Sequence, residues 1–289
     1  MTPRDTIEQS AADRAVAAGS PERFGFEWHT YSELRQEYED QFRRWTAPIN
    51  VSEWRDRRFL DVGCGMGRNS YWPMTYGARS GVAIDVNEGS LASARQTLSS
   101  YPTMTIRFLS AYDIDYRDEF DIAFSIGVIH HLEDPQRALQ AMVRAVKPGG
   151  RVLIWVYGLE NNEWIVRFVS PLRRLVFSRL PIGLLHWLSW FPAAGLWMAL
   201  HLGFGRTEYA RQTREFTFRH LRSIVFDQLL PKIAHYWPRS TVEAMMTEAG
   251  LTDVNLVAVN EISWAAVGTK PMNASEIQGI ERSESRASS

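Results

Sequence analysis

Two hydrophobic periodicities alternate along the chain between residues 58 and 157. Short apolar runs bounded by turn residues predict strands, namely RFLDV, SGVAIDV, TIRFL, FDIAFSI and RVLIWVY. Between them, segments such as EGSLASARQTLSSY and PQRALQAMVRAV repeat their apolar side chains at helical spacing. Strands that alternate with helices predict a parallel sheet covered by helices on both faces, so we expect an α/β fold.

The pattern stops near residue 158 and returns near residue 238, which suggests an insertion. We predict five parts: a disordered leader (1–20), an N-terminal helical cover (21–50), a Rossmann-like core (51–157 and 238–270), a helical substrate or lid insertion (158–237) and a disordered tail (271–289). The leader has no apolar run, so it is not expected to be a secretory signal. The core closes with a helix, STVEAMMTEAGL, and two strands that form an antiparallel hairpin.

Composition limits the function classes that this chain can serve. The 289 residues are 45% hydrophobic and 22% charged, values typical of a soluble globular protein. A formal net charge of -1 argues against a broad nucleic-acid surface, so we predict no nucleic-acid partner. Cys64 is the only cysteine, which rules out an intrachain disulfide and favours a reducing, cytoplasmic location.

The insertion contains a long apolar run, Ile182 to Phe204. His186, Pro192 and His201 interrupt this run, so buried or lid helices are favoured over a membrane span. Peripheral contact with a membrane stays open as an alternative. Interspersed cationic side chains are candidate anchors for a polar group of a substrate, and these are Arg173, Arg174, Arg211, Arg214, His220 and His235.

A glycine-rich turn follows the first predicted strand. Gly63, Gly65 and Gly67 alternate with other residues, and Arg68 stands next. Glycines allow a ligand to approach the backbone closely, and the helix that follows presents free N–H groups to a phosphate or a carboxylate. The dinucleotide fingerprint G-x-G-x-x-G requires a different spacing, and a P-loop requires G-K-[ST], which is absent.

Two aspartates narrow the choice of ligand. Asp85 ends the second strand, where a carboxylate can accept both hydroxyls of a ribose. Asp61 precedes the first glycine, where an acid would repel a pyrophosphate but can pair with an ammonium group. A ligand with a ribose, an α-amino group and a carboxylate is S-adenosylmethionine.

The segments LDVGCGMGRNS, VAIDVN and FDIAFSIGVIHHLEDPQRALQAMVRAVKPGGRVLI, with the terminal strand pair, resemble a class I S-adenosylmethionine-dependent methyltransferase. The resemblance implies a Rossmann-like, seven-stranded, mostly parallel sheet with an antiparallel last strand. It also implies that Asp61, Gly63, Gly65 and Gly67 line the methionine part of the cofactor and that Asp85 holds the ribose. Further cofactor contacts that it implies are Val86 and Asp113 at the adenine, Ser125 and Ile126 at the sulfonium, and Trp28 or Tyr31 above it.

His130 and His131 follow the fourth strand and are the candidate catalytic residues, because an imidazole can take a hydroxyl proton. No metal site is predicted. The motif Asn-Pro-Pro-Tyr of amide and adenine N-methyltransferases is absent, which leaves oxygen, carbon or a small-molecule nitrogen as the methyl acceptor. With the apolar insertion, we predict methyl transfer to a small, fairly apolar metabolite, with oxygen favoured and carbon as an alternative acceptor. Three other hypotheses are a membrane-surface enzyme for a quinone- or prenyl-like acceptor, a modifier of RNA or protein, and a cofactor-binding protein without catalytic activity. The sequence leaves the oligomeric state open.

Overall fold

The computed structural model describes residues 37–204, 213–214 and 216–272. Seven strands form one sheet in the order β3-β2-β1-β4-β5-β7-β6. β1 to β5 are parallel, whereas β7 runs antiparallel to both β5 and β6. This arrangement confirms the predicted Rossmann-like sheet. The strands are β1 (Arg58–Val62), β2 (Ser80–Asp85), β3 (Met104–Phe108), β4 (Phe120–Ile126), β5 (Val146–Tyr157), β6 (Thr252–Val259) and β7 (Ser263–Thr269).

Burial explains why the strand sequences differ. β1 and β4 lie at the centre, are covered on both faces, and are almost continuously apolar. β3 and β6 lie at the two edges and expose about every second residue. A strand covered on both faces must be apolar throughout, whereas an edge strand tolerates polar residues on its open side.

Helices connect the strands and cover the sheet. Side-chain caps fix three of their starts. Asn87 accepts a hydrogen bond from the N–H of Ser90 at 2.8 Å, Asp134 accepts one from that of Arg137 at 3.0 Å, and Thr217 accepts one from that of His220 at 3.3 Å. The helices of the described residues are α1 (Glu37–Trp45), α2 (Arg68–Thr75), α3 (Glu88–Thr97), α4 (Pro135–Ala145), α5 (Ser170–Leu175), α6 (Ile182–Leu188), α7 (Trp190–His201), α8 (Phe218–Leu229) and α9 (Arg239–Glu248).

Two apolar clusters stabilise the sheet from opposite faces. One contains Met142 of α4 and Met246 of α9. The other is rich in aromatic side chains and includes Phe42 of α1, Trp54 and Phe124. Burial of this apolar area is the main favourable term in folding, and it fixes the ends of the strands relative to one another.

Residues 158–237, which we call the helical segment, leave and rejoin the sheet at one place. The N–H of Leu159 donates to the carbonyl of Trp237 at 3.1 Å, and the N–H of Trp237 donates to the carbonyl of Tyr157 at 3.1 Å. Between these points the described residues contain helices α5 to α8. The segment has a small apolar cluster of its own, formed by Leu185, Phe226, Leu229 and Leu230.

The apolar run of the helical segment is folded as two short helices, α6 and α7, rather than one long one. Within the residues that the structure covers, no helix has both the length and the apolar character needed to cross a bilayer. Many large apolar side chains on these helices face solvent, and they include Trp187, Trp190, Phe191, Trp197 and Met198.

Candidate functional site

The glycine turn between β1 and α2 depends on backbone conformations that other residues rarely adopt. Gly63, Gly65 and Gly67 have φ angles of 77°, 53° and 80°. A side chain at Gly63 would also overlap the side chain of Val128, which follows β4. The three glycines therefore allow the chain to turn tightly across the end of the sheet.

Hydrogen bonds hold this turn against the end of β2. The N–H groups of Gly63 and Cys64 donate to the carbonyl of Ile84 at 2.8 and 2.9 Å. The N–H of Gly65 donates to Oδ2 of Asp85 at 2.9 Å, and the N–H of Asn87 donates to Oδ1 at 2.9 Å. Both oxygens of Asp85 are thus fixed in direction, so the carboxylate is preorganised.

Asp85 is partly removed from water. Burial raises the pKa of its carboxyl, while the amide hydrogen bonds from Gly65 and Asn87 oppose that rise. A carboxylate in such an environment can accept hydrogen bonds from hydroxyl groups, because each oxygen has further lone pairs.

Asp61 is more deeply buried, with 1% of its surface exposed. The hydroxyl of Ser70 on α2 donates to its Oδ2 at 2.6 Å. Burial, and to a smaller degree the charge of Asp85, raises the pKa of Asp61 from 3.8 to about 7, against the opposing effect of Ser70. Asp61 therefore lacks a cationic partner within the described part of the chain, and it is a group that a bound ammonium would stabilise in its charged form.

Cys64 lies between Gly63 and Gly65 in the turn and is buried. Burial and the neighbouring charges of Asp85 and Asp61 raise the pKa of its thiol well above the ordinary value. A thiol in this state is a weak nucleophile, so Cys64 acts here as a small packing residue.

The structure places the other predicted cofactor residues in different surroundings. Ser125 is fully buried, and its hydroxyl donates to the carbonyl of Val62 at 2.8 Å, which joins β4 to β1. Ile126 is buried at the end of β4 beside Trp155 of β5. Val86 is partly buried directly after Asp85.

Asp113 lies apart from these buried groups. Its carboxylate is half exposed and faces a guanidinium nitrogen of Arg137 at 3.7 Å. Trp28 and Tyr31 lie outside the described residues.

Arg68, which stands where the dinucleotide fingerprint would place its third glycine, contacts α1. Its guanidinium lies 4.4 Å from the ring centre of Tyr38 and 5.9 Å from that of Trp45. The ring of Trp45 in turn lies 4.9 Å from that of Trp155. No contact of Arg68 or Ser70 was predicted from the sequence, because the partner of each lies in another element: Tyr38 in α1 and Asp61 in β1.

His130 and His131 form a short 3-10 turn, Ile129–His131, after β4. The ring of His130 is fully buried, lies 3.9 Å from the ring of Tyr157, and has no hydrogen-bond partner for either nitrogen among the described residues. The Nδ1 of His131 lies 2.7 Å from the carbonyl of Ile233, so this nitrogen carries the proton in the neutral ring.

Burial keeps both imidazoles neutral at pH 7. It lowers the pKa of His130 well below the ordinary value and that of His131 to about 4, and the positive charge of Arg173 adds to both effects. A neutral imidazole can accept one proton and donate another. Across the described ranges, no group of three or more His, Cys, Asp or Glu residues is arranged to hold a metal ion.

Comparison with known proteins shows which families this chain resembles. Residues 60–154 match a family model described as "Methyltransferase domain". A ubiquinone biosynthesis O-methyltransferase of Pseudomonas syringae pv. tomato is 34% identical over 146 residues, which cover 47% of this chain and 61% of that protein. A tRNA U34 carboxymethyltransferase of Hahella chejuensis is 28% identical over 184 residues, covering 61% of this chain and 54% of that protein.

The fold has solved counterparts. The structure of human N-acetylserotonin methyltransferase in complex with S-adenosylmethionine superposes with a TM-score of 0.52 at 15% identity, covering 87% of this chain and 56% of that one. The chain thus spans less than two thirds of the length of each of these three proteins.

We expect Asp61→Asn to change how stability depends on pH. Below its unfolded pKa of 3.8, the Asp61 carboxyl is protonated in both the folded and the unfolded state and does not affect stability. As the pH rises from 3.8 to about 7, the unfolded state loses this proton more readily than the folded state, so the native state becomes less stable. Because one pKa unit is worth about 1.4 kcal/mol, the wild type should lose at most about 4 kcal/mol relative to the variant. Urea unfolding of both proteins without ligand, at about pH 4 and about pH 8, measures this difference.

The matched control is Asp115→Asn, which removes an exposed carboxyl that pairs with Arg107 at 3.3 Å. Its stability relative to the wild type should change little across the same range, since an exposed ion pair is worth little. If the difference in free energy of unfolding between the wild type and Asp61→Asn stays constant with pH, then folding does not raise the pKa of Asp61.

Proposed function

Because residues 60–154 are a class I S-adenosylmethionine-dependent methyltransferase domain, we propose that this chain methylates a small, fairly apolar metabolite. Oxygen is the favoured acceptor atom, and carbon is the alternative. The observation that carries the proposal is the pair of acids, buried Asp61 and half-buried Asp85, on either side of a glycine turn at the carboxyl edge of the sheet. Two acids there suit an ammonium group and a ribose, and they oppose a pyrophosphate.

The cofactor supplies an electrophilic methyl group, and the residues of this chain would bind and orient it. Asp61 would pair with the ammonium group and Asp85 would accept the ribose hydroxyls, while Gly63, Gly65 and Gly67 would let the backbone approach the methionine part. Four further contacts are proposed: Val86 beside the adenine, Asp113 at its amino group, and Ser125 with Ile126 near the sulfonium. Trp28 and Tyr31 are proposed to cover that centre.

His130 and His131 are proposed to take the proton of the acceptor. Their neutral rings are able to accept it, but the low pKa values make them weak bases. A weak base is better matched to an acidic hydroxyl, such as a phenol or an enol, than to a simple alcohol. The site therefore favours an aromatic or enolic oxygen as the acceptor.

The helical segment is proposed to form the acceptor-binding lid over the sheet. Tyr157 and Tyr236 stack with ring centres 5.3 Å apart where the segment meets β5, which gives this region an apolar, aromatic wall. Among the relatives, one is named for ubiquinone biosynthesis and another for tRNA. The net charge of -1 favours a small acceptor over RNA for this chain.

We expect Asp85→Asn to lower the affinity for S-adenosylmethionine by at least about tenfold, since hydrogen bonds to a charged acceptor are worth about 1.5 to 3 kcal/mol. The variant keeps the shape of the side chain but removes its charge. Isothermal titration of the wild type and the variant measures the change.

Asp115→Asn again serves as the control and should bind the cofactor as the wild type does. The absence of any binding heat with the wild type, confirmed by equilibrium dialysis, would refute the proposed cofactor. Equal affinities of the wild type and Asp85→Asn would refute the role of Asp85.

A second candidate function is methylation of a lipid-soluble acceptor at a membrane surface. Trp187 and Phe191 expose 60% and 56% of their surface on α6 and α7. Residues 164–207 contain five arginines and no acidic residue. Exposed aromatic side chains with a basic surplus suit an anionic lipid surface.

Flotation with vesicles of phosphatidylcholine and phosphatidylglycerol tests this second candidate. We expect the wild type to float with the vesicles and the double variant Trp187→Ser with Phe191→Ser to stay at the bottom, because the variant removes the apolar contact. Phe108→Ser, which removes an exposed aromatic ring (57%) from β3 at the sheet edge, is the control and should float like the wild type. A wild type that does not associate with these vesicles would rule this candidate out.

A further inference from the structure

Arg173 on α5 is a buried arginine with an incomplete set of partners. Only 1% of its surface is exposed. One guanidinium nitrogen donates to the carbonyl of Gln228 and another to the hydroxyl of Ser170, each at 3.2 Å, but Nε has no partner in the described part of the chain. None of the ion pairs between side chains that the structure describes involves Arg173. A buried, unpaired charge costs several kcal/mol, which makes this arrangement one that needs an explanation.

Contacts lead from Arg173 to the candidate catalytic histidines. The main chain of Gln228 accepts from Arg173, while its side-chain amide donates to the hydroxyl of Tyr157 at 3.2 Å. The ring of Tyr157 packs on the ring of His130, with ring centres 3.9 Å apart. Arg173 therefore lies at the junction of the helical segment with the carboxyl ends of β4 and β5.

Other nitrogens at this junction also lack partners. Besides Nε of Arg173, both ring nitrogens of His130 and Nε2 of His235 are buried without a hydrogen bond to any described residue. The N–H of His235 donates to the carbonyl of His130 at 2.9 Å, which places the two residues side by side. We call His130, His131, Arg173 and His235 the histidine–arginine cluster.

The cluster carries one fixed positive charge and several neutral imidazoles. Arg173 lowers the pKa of His130 and of His131, and no acidic group acts on either ring in the opposite direction. The main-chain carbonyls of Ile233 and Leu132 accept hydrogen bonds from His131 and His235. Among the side chains that the structure describes, no carboxylate is a partner of Arg173, His130 or His235.

We propose that the histidine–arginine cluster binds an anionic oxygen group, a carboxylate or a phosphate, of the methyl acceptor. This inference rests on the proposed function, because it names the chemistry of the acceptor for the same site. The guanidinium of Arg173 supplies the charge, and the neutral ring of His130 supplies an N–H donor. The acceptor would then have an apolar body, which the aromatic wall suits, and one negative group.

Arg173 also differs in its burial from the other candidate anchors that the structure describes. Arg174 is exposed beside it on the same helix, and Arg211 lies outside the described residues. His220 is half-buried, stacks on Phe216 at 4.1 Å and lies edge-on to the ring of Tyr38 at 6.4 Å. A buried cation distinguishes an anionic ligand from a neutral one more strongly than an exposed cation does, because water does not screen its charge.

Binding of simple probes to the whole chain tests the proposal. The probes are benzoate, benzyl alcohol as its neutral analogue, and inorganic phosphate, each titrated into protein saturated with S-adenosylhomocysteine. The proteins are the wild type, Arg173→Gln, Arg173→Lys and the control Arg179→Gln, which removes an exposed arginine six positions further along the chain. Binding of S-adenosylhomocysteine itself reports whether each variant is folded.

We expect the wild type and Arg179→Gln to bind benzoate or phosphate, and to bind benzoate at least about tenfold more tightly than benzyl alcohol. Arg173→Gln should lose at least about tenfold in anion affinity while it retains S-adenosylhomocysteine, and Arg173→Lys should lie between the two. Benzoate and phosphate separate a carboxylate from a phosphate as the preferred group.

Three results would overturn the proposal: no anion binding by a wild type that binds S-adenosylhomocysteine, equal binding of benzoate and its neutral analogue, or unchanged anion affinity in Arg173→Gln. If Arg173→Gln does not fold, an unchanged anion affinity in Arg173→Lys overturns the proposal instead. A wild type that binds no S-adenosylhomocysteine would instead overturn the proposed function, so the two failures are distinguishable.

Discussion

The hydrogen bonds between the glycine turn and the end of β2 set the geometry of the whole site. They fix the turn at Ile84 and Asp85, and this in turn fixes where α2 begins and where Ser70 meets Asp61. Val128, which follows β4, packs against Gly63 and leaves no space for a side chain there. The ends of β1, β2 and β4 are therefore positioned together, and a change in one of them would alter the other two.

The charges at the carboxyl edge of the sheet are separated into two groups. Asp61 and Asp85 lie at the ends of β1 and β2, while Arg173 lies beside the ends of β4 and β5. Neither group neutralises the other within the described residues, so each is left to attract a ligand group of opposite charge. This separation fits a cationic cofactor on one side and an anionic acceptor on the other, as proposed above.

The sequence predicted those features that depend on local pattern. Apolar runs and helical spacing predicted a parallel sheet covered by helices, and the family resemblance implied seven strands with an antiparallel last strand. The sheet is confirmed, because burial on both faces leaves a local signature in each central strand. The burial of Arg173 had no such signature, since a cluster of arginines usually marks a solvated face. The contacts of Arg68 with Tyr38 and of Ser70 with Asp61 also depend on tertiary packing. The exposure of Trp187 and Phe191 is a similar case, since an apolar run is ordinarily buried.

The attachment of the helical segment has a consequence for how the protein can open. The segment is closed at its base by hydrogen bonds between Leu159 and Trp237 and between Trp237 and Tyr157, and two small apolar clusters of its described residues pack its helices together. Free energies of local opening follow the amount of buried apolar contact, so we expect the backbone amides of α5 to α8 to exchange with solvent deuterium sooner than those of β1 and β4. These helices can thus open and close again while the glycine turn and the central strands keep their native structure.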